Sequence, residues 1–518
     1  MTISKFISNT LISLTFVAFV AQLIIDFSTI NIATSCIILT SSVSTLLYFR
    51  WSKAFDSHPL SSFAIIGFCL TSILGAMLAQ SGAWTAVSKD LYQPIFTFSM
   101  LAMYQAIALL AHGFYRMVSS TSTKHGLLRS TFQAMGIYAT PGVLNLWIIG
   151  LMGLFFVLLA NISPVARGLS FLAWAPFLIP IYLQQMGPNY CNAKKNYILL
   201  FMFTILVGLV AMAFNARAMM LSGIATVALL FFLIGLRSDK LVSSKMLFRM
   251  GILLVLGVTL SWPVSNMVTA MAIARADRGK VSGAEMVTKT LENFQKQDKI
   301  DSFRKEVLSR ELQSSYDEGY IKNPFVARFV ITQFHDNAMY FASKVSDKGA
   351  EQVTSISGDF FWATLPQPIL DALKIDVNKD KMYFSMGDVL VNLAVGIPLG
   401  GQKTGSVFGQ GWVMFGVFFS FIYFFMCLVL FIALDLFSIR TTVGKVELAV
   451  IGMLNVWPNF LFGITADSLH YLFIGVVRGV IQSVLLYSIV FAISKVVSGL
   501  ITMLMHKKPM TISSLAVK

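Results

Sequence analysis

MGILLVLGVTLSWPVSNMVTA, residues 250–270, runs without a break into MAIARADRGKVSGAEMVTKTLENFQKQDKI, residues 271–300. The first segment is apolar over about the length that crosses a hydrocarbon core of ~30 Å. The second is dense in charge and belongs in water. Polar character persists to about Asp388, after which apolar runs return. The chain therefore reads as two membrane blocks, 1–270 and 389–518, around an insert at 271–388. A large insert on one side of a membrane suits a protein that handles something delivered on that side.

Outward from this junction the same grammar repeats. Of 518 residues, 56% are hydrophobic and 12% are charged, against about 25% charged in soluble domains. Water cannot hold that much apolar surface, so the chain reads as an integral membrane protein. Apolar runs near 7–25, 30–49, 60–80, 94–114, 143–162, 170–186, 197–214, 218–236, 250–270, 411–434, 447–464 and 471–493 predict about twelve spans. Each must satisfy its own backbone in lipid, so the expected class is all-α and polytopic. The first run lacks a small-residue cleavage site and reads as a retained span. None of the four cysteines falls in the insert, so no disulfide framework and no cysteine metal site is indicated.

Charge sets the orientation. With the N-terminus inside, the inner segments carry 18 basic residues and only four acidic ones, Asp56, Asp239, Asp435 and Glu447. The remainder holds 21 basic and 20 acidic residues, so all but one unit of the net +15 comes from the inner segments. This is a positive-inside signature and not a nucleic-acid footprint. It puts both termini in the cytoplasm and the insert outside, in the periplasm of a Gram-negative cell.

Within the insert, residues 283–318 have helical spacing, with Leu291, Phe294, Ile300, Phe303, Val307 and Leu312 as apolar points. Residues 324–345, PFVARFVITQFHDNAMYFASKV, read as a second, more apolar helix. Residues 349–385 read as loop. The run at 387–400 is too short to span and reads as re-entrant, and 401–411 is glycine-rich.

Charged residues near the spans are the candidate site. Arg217 lies in the tight hairpin FNARAMM, at the headgroup level or below. A guanidinium there suits bidentate phosphate recognition; the plain alternative is an arginine snorkelling to lipid. Arg478 lies inside the last span, and intramembrane charge points to function by default; the alternative is a structural pair with Asp467 or a backbone carbonyl. Arg167 is the charge of its hairpin or a simple anchor. Arg275 and Arg278 would meet an anionic headgroup or pair locally with Asp277. His335, beside Asp336 and seven residues after Arg328, is the histidine of the insert. It is a candidate general base for a sugar hydroxyl, against an ordinary surface histidine. Asp26, Asp467 and His470 are further candidates that also read as helix-end residues.

Some motifs are missing. There is no GxxxxGK[ST], so no P-loop is encoded. No HExxH or Cys/His cluster suggests zinc, and no DxD offers a divalent-metal site for a sugar nucleotide. No metal and no cofactor is expected, and arginines would meet pyrophosphate charge.

The layout resembles the bacterial O-antigen polymerase and ligase superfamily (Wzy-type and WaaL-type). The matching features are about twelve spans, the large outward loop before the last few, and Asn215-Ala-Arg217 ahead of a span. The glycine-rich entry at Gly405, Gly409, Gly411 and Gly416 also matches. The resemblance covers most of the chain as architecture. It implies a GT-C-like fold, metal-independent transfer from an undecaprenyl-diphosphate donor, and arginines on the diphosphate. Arg217 matches best; Arg328 and the loop arginines match by location. The ligase branch uses a loop histidine as base, and His335 lies in a similar region. The paired Arg-x10-Gly motifs of some polymerases are absent here.

The expected function is thus a polysaccharide polymerase moving a growing glycan from undecaprenyl diphosphate to a lipid-linked repeat unit. Its partners would be those lipid-linked oligosaccharides, the bilayer and a chain-length regulator. The alternatives are a ligase onto a lipid or protein acceptor and, in another class, a lipid-linked oligosaccharide flippase. The phenylalanines of 324–345 predict that this segment folds back over the outer mouth of the bundle. That would bring Arg328, His335 and Asp336 towards Arg217, with Asp336 or a backbone carbonyl fixing the His335 tautomer.

Overall fold

The computed structural model describes all residues except 121–126, 161, 188–189, 312–318, 366, 380–381, 442–444 and 507–518. It is 78% helical. Ten helical segments among the described residues are long and apolar enough to cross a membrane. The first block contributes α1 (Ile3–Ile25), α2 (Thr29–Ser52), α3 (Pro59–Gly82), α4 (Pro94–Ser120) and α5 (Val143–Leu159). It continues with α6 (Val165–Met186), α7 (Ala193–Ala213), α8 (Arg217–Leu236) and α9 (Ser244–Ala274). Of these, α5 has 17 residues, at the short limit for a span, and is not one of the ten.

The insert folds as helices too: α10 (Gly283–Gln295), α11 (Gln297–Glu311), α12 (Thr332–Ala342), α13 (Asp347–Ala363) and α14 (Met386–Val395). The stretch 349–385, expected as loop, is largely α13 plus a short helix Gln367–Leu373. Gly358 falls within the last two turns of α13, and Pro368 in the first turn of the short helix, where proline is accepted. The expected helix over 324–345 is divided. Val326–Arg328 is a 3-10 turn and α12 starts afresh at Thr332, so Arg328 and His335 do not share a helix face. Residue 312 and its neighbours lie outside the described residues.

The second block holds α15 (Val407–Phe415), α16 (Phe419–Asp435), a hairpin of β1 (Ser438–Arg440) and β2 (Val446–Leu448), α17 (Val450–Leu454), α18 (Val456–Phe462), α19 (Leu469–Ile474) and α20 (Val480–His506). Here one expected span is corrected: 447–464 is not a continuous helix. Its first residues pair as a strand with β1, and Asn455 separates two short helices. They are buried in protein, against α3 and Phe437, so broken backbone is tolerated there.

Successive crossings sort the loops into two chemically distinct ends. At one end the Lys- and Arg-bearing segments meet. Ile3 N–H donates to the Lys240 carbonyl at 2.9 Å, Arg116 to the Ser52 carbonyl at 2.8 Å, and Arg237 to the Val446 carbonyl. Asp435, acidic among these basic loops, caps α3: it accepts from the Leu60 and Ser61 N–H groups and from the Ser61 hydroxyl at 2.6 Å. At the other end buried amides tie the loops together. Gln22 accepts from Val87 N–H at 2.7 Å and donates to the Thr85 carbonyl at 3.0 Å. Gln80 donates to the Tyr320 carbonyl at 2.7 Å, and Asn215 to the Met271 carbonyl at 2.8 Å. The insert packs on this second end.

Candidate functional site

The insert is held by a defect in α3. At Cys69–Leu74 that helix widens into a π-turn, which displaces carbonyls from the ordinary helical ladder. Ile331 N–H donates to the Thr71 carbonyl at 3.0 Å, and the Thr332 hydroxyl to the Ser72 carbonyl at 2.8 Å. The expected folding back of this segment is therefore seen, as a docking of α12 between α3, α4 and α15.

His335 and Asp336 point in different directions from α12. His335 is 2% exposed. Its Nδ1 is 2.8 Å from the Ser406 hydroxyl and its Nε2 is 3.3 Å from the Ser72 hydroxyl. Burial pushes its pKa down to about 3, so the ring is neutral and donates to one serine while accepting from the other. Asp336 does not orient it. Its carboxylate accepts from Tyr92 N–H at 2.6 Å, Gln93 N–H at 3.1 Å and the Thr97 hydroxyl at 2.6 Å. These donors lie around the start of α4, where negative charge is favoured. The pair forms a latch between insert and bundle, and the histidine has no free nitrogen for an acceptor hydroxyl.

Asp388 organises the glycine-rich loop that precedes α15. It is fully buried, and it accepts from Gln402 N–H at 2.9 Å, Lys403 N–H at 3.2 Å and the Lys403 ammonium at 3.4 Å. Burial alone would raise this carboxyl. The N–H groups of Ser385, Lys403 and Gln402 and the Lys403 charge outweigh it and hold the group below its ordinary value. The loop then passes close to the segment before α19. A Cβ on Gly405 would lie 2.5 Å from the Asp467 carbonyl oxygen, so only glycine fits.

That crossing frames a second polar group. Val407 N–H donates to the Ala466 carbonyl at 2.9 Å, and Leu469 N–H to Gln410 Oε1 at 2.8 Å. Between them stands Asp467, half-buried, and just after Leu469 comes His470, 8% exposed. Ser468 donates to Asp467 Oδ1 at 3.1 Å and lies 3.5 Å from His470 Nε2. The His470 ring stacks on Phe360 with centroids 4.6 Å apart. Its buried Nδ1 has no hydrogen-bond partner among the described residues. Burial raises the Asp467 carboxyl to about 6, against the pull of Ser468, and lowers His470 to about 4.

The candidate arginines divide by environment. Arg217 opens α8, half-buried, two residues after Asn215, which ties that hairpin to the end of α9. Arg275 and Arg278 follow α9 and are exposed. Their neighbour Asp277 pairs instead with Lys289, at 2.8 Å. Arg328 is exposed beside Phe329, whose ring meets Trp457. Arg478 lies on a π-turn, Gly475–Gly479, between α19 and α20. It donates to the Thr364 carbonyl at the end of α13 at 2.8 Å and to Gln482 at 3.2 Å, the backbone-carbonyl alternative of the sequence reading. Arg167 donates to the Ala160 carbonyl at 3.3 Å. Its neighbour Gly168 lies against Gln482, so the Arg167 and Arg478 segments adjoin. Sequence reasoning missed Arg304, which donates from α11 to Asn266 at 2.9 Å and to Ser265 at 3.2 Å. The available signal was the polar face Ser265, Asn266 and Thr269 in an otherwise apolar helix.

Fold and composition together define a helical, multi-pass membrane protein. No protein-family model matches the chain, and no curated protein or solved structure matches it.

Proposed function

We propose that the protein is a membrane glycosyltransferase of GT-C-like plan: a polymerase transferring a growing glycan from undecaprenyl diphosphate to an incoming lipid-linked repeat unit. On this reading it lies in the bacterial cytoplasmic membrane with about twelve crossings, both termini in the cytoplasm and the insert in the periplasm. The supporting observation is the polarity of the molecule. The insert docks at the end away from the Lys- and Arg-rich loops, and that side carries Arg217 with the exposed Arg167, Arg275, Arg278, Arg328 and Arg478. A departing diphosphate takes an electron pair with it, and fixed cations placed where that charge develops lower the barrier. Arg217 is assigned this role first, since it is half-buried at a helix start and its fork suits a phosphate. His335 serves as a latch for the insert and not as the base.

Deletion of the gene should leave lipid-linked single repeat units in the membrane, and purified protein should elongate them. Normal polymer in the deletion strain would end this reading. Normal polymer that is no longer transferred to a lipid or protein acceptor would favour the ligase instead.

A further inference from the structure

The reaction proposed above needs a group to take the acceptor hydroxyl proton, and His335 is unsuited to it. We infer that Asp467 is that group, with Ser468 and His470 as positioning residues. The inference rests on the polymerase reading and names the proton acceptor of that one displacement.

The geometry has three parts. Asp467 stands where two non-helical segments cross, with Gly405 against its backbone and the Val407–Ala466 and Leu469–Gln410 hydrogen bonds on either side. Its position is therefore set by backbone contacts and not by a flexible tip. One carboxylate oxygen is held by Ser468, and no other side chain donates to the carboxylate among the described hydrogen bonds, so one oxygen stays available to a substrate hydroxyl. The same Ser468 hydroxyl lies 3.5 Å from His470 Nε2, and the other ring nitrogen, Nδ1, is buried without a hydrogen-bond partner among the described residues. A buried polar atom of this kind is uncommon unless a ligand or water atom meets it.

The chemistry balances. The acceptor oxygen forms its bond to the donor anomeric carbon as that carbon's bond to the diphosphate oxygen breaks. The electron pair leaves with the lipid diphosphate, and the hydroxyl proton passes to the Asp467 carboxylate. A base works best when its pKa lies near the working pH, and burial moves Asp467 in that direction. The charged and titratable groups around it do not compete. His470 is neutral near pH 6, and its neighbour Tyr471 is 56% exposed. Lys403 is engaged by Asp388. From α13, Ser357 and Phe360 face this corner, while Glu351 and Asp359 lie exposed.

The test uses the full-length protein in lipid nanodiscs with its lipid-linked repeat unit, and follows kcat against pH. Wild type should lose rate on the acid side with an inflection near 6. Asp467→Asn should fall by about 10²–10⁴-fold, the usual worth of a general base, and lose that inflection. Asp467→Glu should recover part of the rate with the inflection restored. Ser468→Ala should shift the inflection upwards, because a donor that favours the charged form is gone. Asp467→Asn within a few-fold of wild type, or an unchanged pH profile, would overturn the assignment while leaving the polymerase reading intact. Wild type that elongates no repeat unit would overturn the parent reading, and this one with it. If Asp467→Asn fails to fold, Asp467→Glu and Ser468→Ala carry the test, and an acid inflection that neither of them moves overturns the assignment.

Discussion

Removing the Asp336 carboxylate should loosen the insert from the bundle. In Asp336→Ala the Tyr92 and Gln93 N–H groups and the Thr97 hydroxyl lose their acceptor at once. Hydrogen bonds to a charged group are worth roughly 1.5–3 kcal/mol each. Three would sum to more than is usually measured, because the freed groups relax and recover some water. Breaking a buried charged network typically costs about 3–5 kcal/mol, so about 4 kcal/mol is the expected loss. Spread over 518 residues at ~2.1 cal/mol/K each, that lowers the melting temperature by roughly 4 °C. The local effect should be larger than the global one. Amides at 92–97 and 332–342 should exchange with deuterium faster, because α4 loses its cap and α12 an anchor. Asp336→Asn retains one acceptor oxygen but turns an amide N–H₂ towards a donor, and should fall between wild type and alanine. The reasoning fails if Asp336→Ala melts with wild type and its 92–97 amides stay protected.

Other perturbations separate the remaining assignments. Asp388 is held below its ordinary carboxylate value, so its stabilisation is present above that range and is lost as pH falls through the folded value. Acidification below about pH 4 should open the loop around Gly405, and Asp388→Asn should remove that part of the pH dependence, as read by proteolysis of the loop. Arg217→Ala should abolish glycan transfer in a folded protein, with Arg217→Lys recovering little because the bidentate fork is lost. Normal polymer from a well-expressed Arg217→Ala protein would take that residue out of the site. Reporter fusions at Lys322 and Lys445 should mark opposite sides of the membrane, and identical sidedness would contradict the two-ended arrangement.

How well each element could be read depended on whether its cause was local. The apolar runs announce themselves because a helix in lipid satisfies its own hydrogen bonds. Length and composition therefore locate most of them. The run at 447–464 is equally apolar, yet it is a strand and two short helices. Burial inside the bundle lifts the requirement that makes apolar sequence helical, and nothing local reports that burial. The hydrophobicity of α12 correctly implied docking. It did not reveal the direction of its side chains, so the adjacent His335 and Asp336 read as a catalytic pair although they face different helices.

Residue order alone makes legible the class of protein, the alternation of apolar runs with one long polar segment, and the charge asymmetry of the loops. Each is a sum over many residues of transfer free energy or charge, and such sums survive ignorance of contacts. Contacts across the fold reveal that Asp336 closes on the start of α4 and that His335 is buried between Ser72 and Ser406. The fold alone shows that Asp388 pins the glycine-rich loop, and that Asp467, which read as a candidate carboxylate or a helix-end residue, stands half-buried near His470, whose Nδ1 has no hydrogen-bond partner among the described residues. These roles depend on single atoms brought together from segments far apart in the chain, at distances of about 3 Å where one hydrogen bond is made or lost.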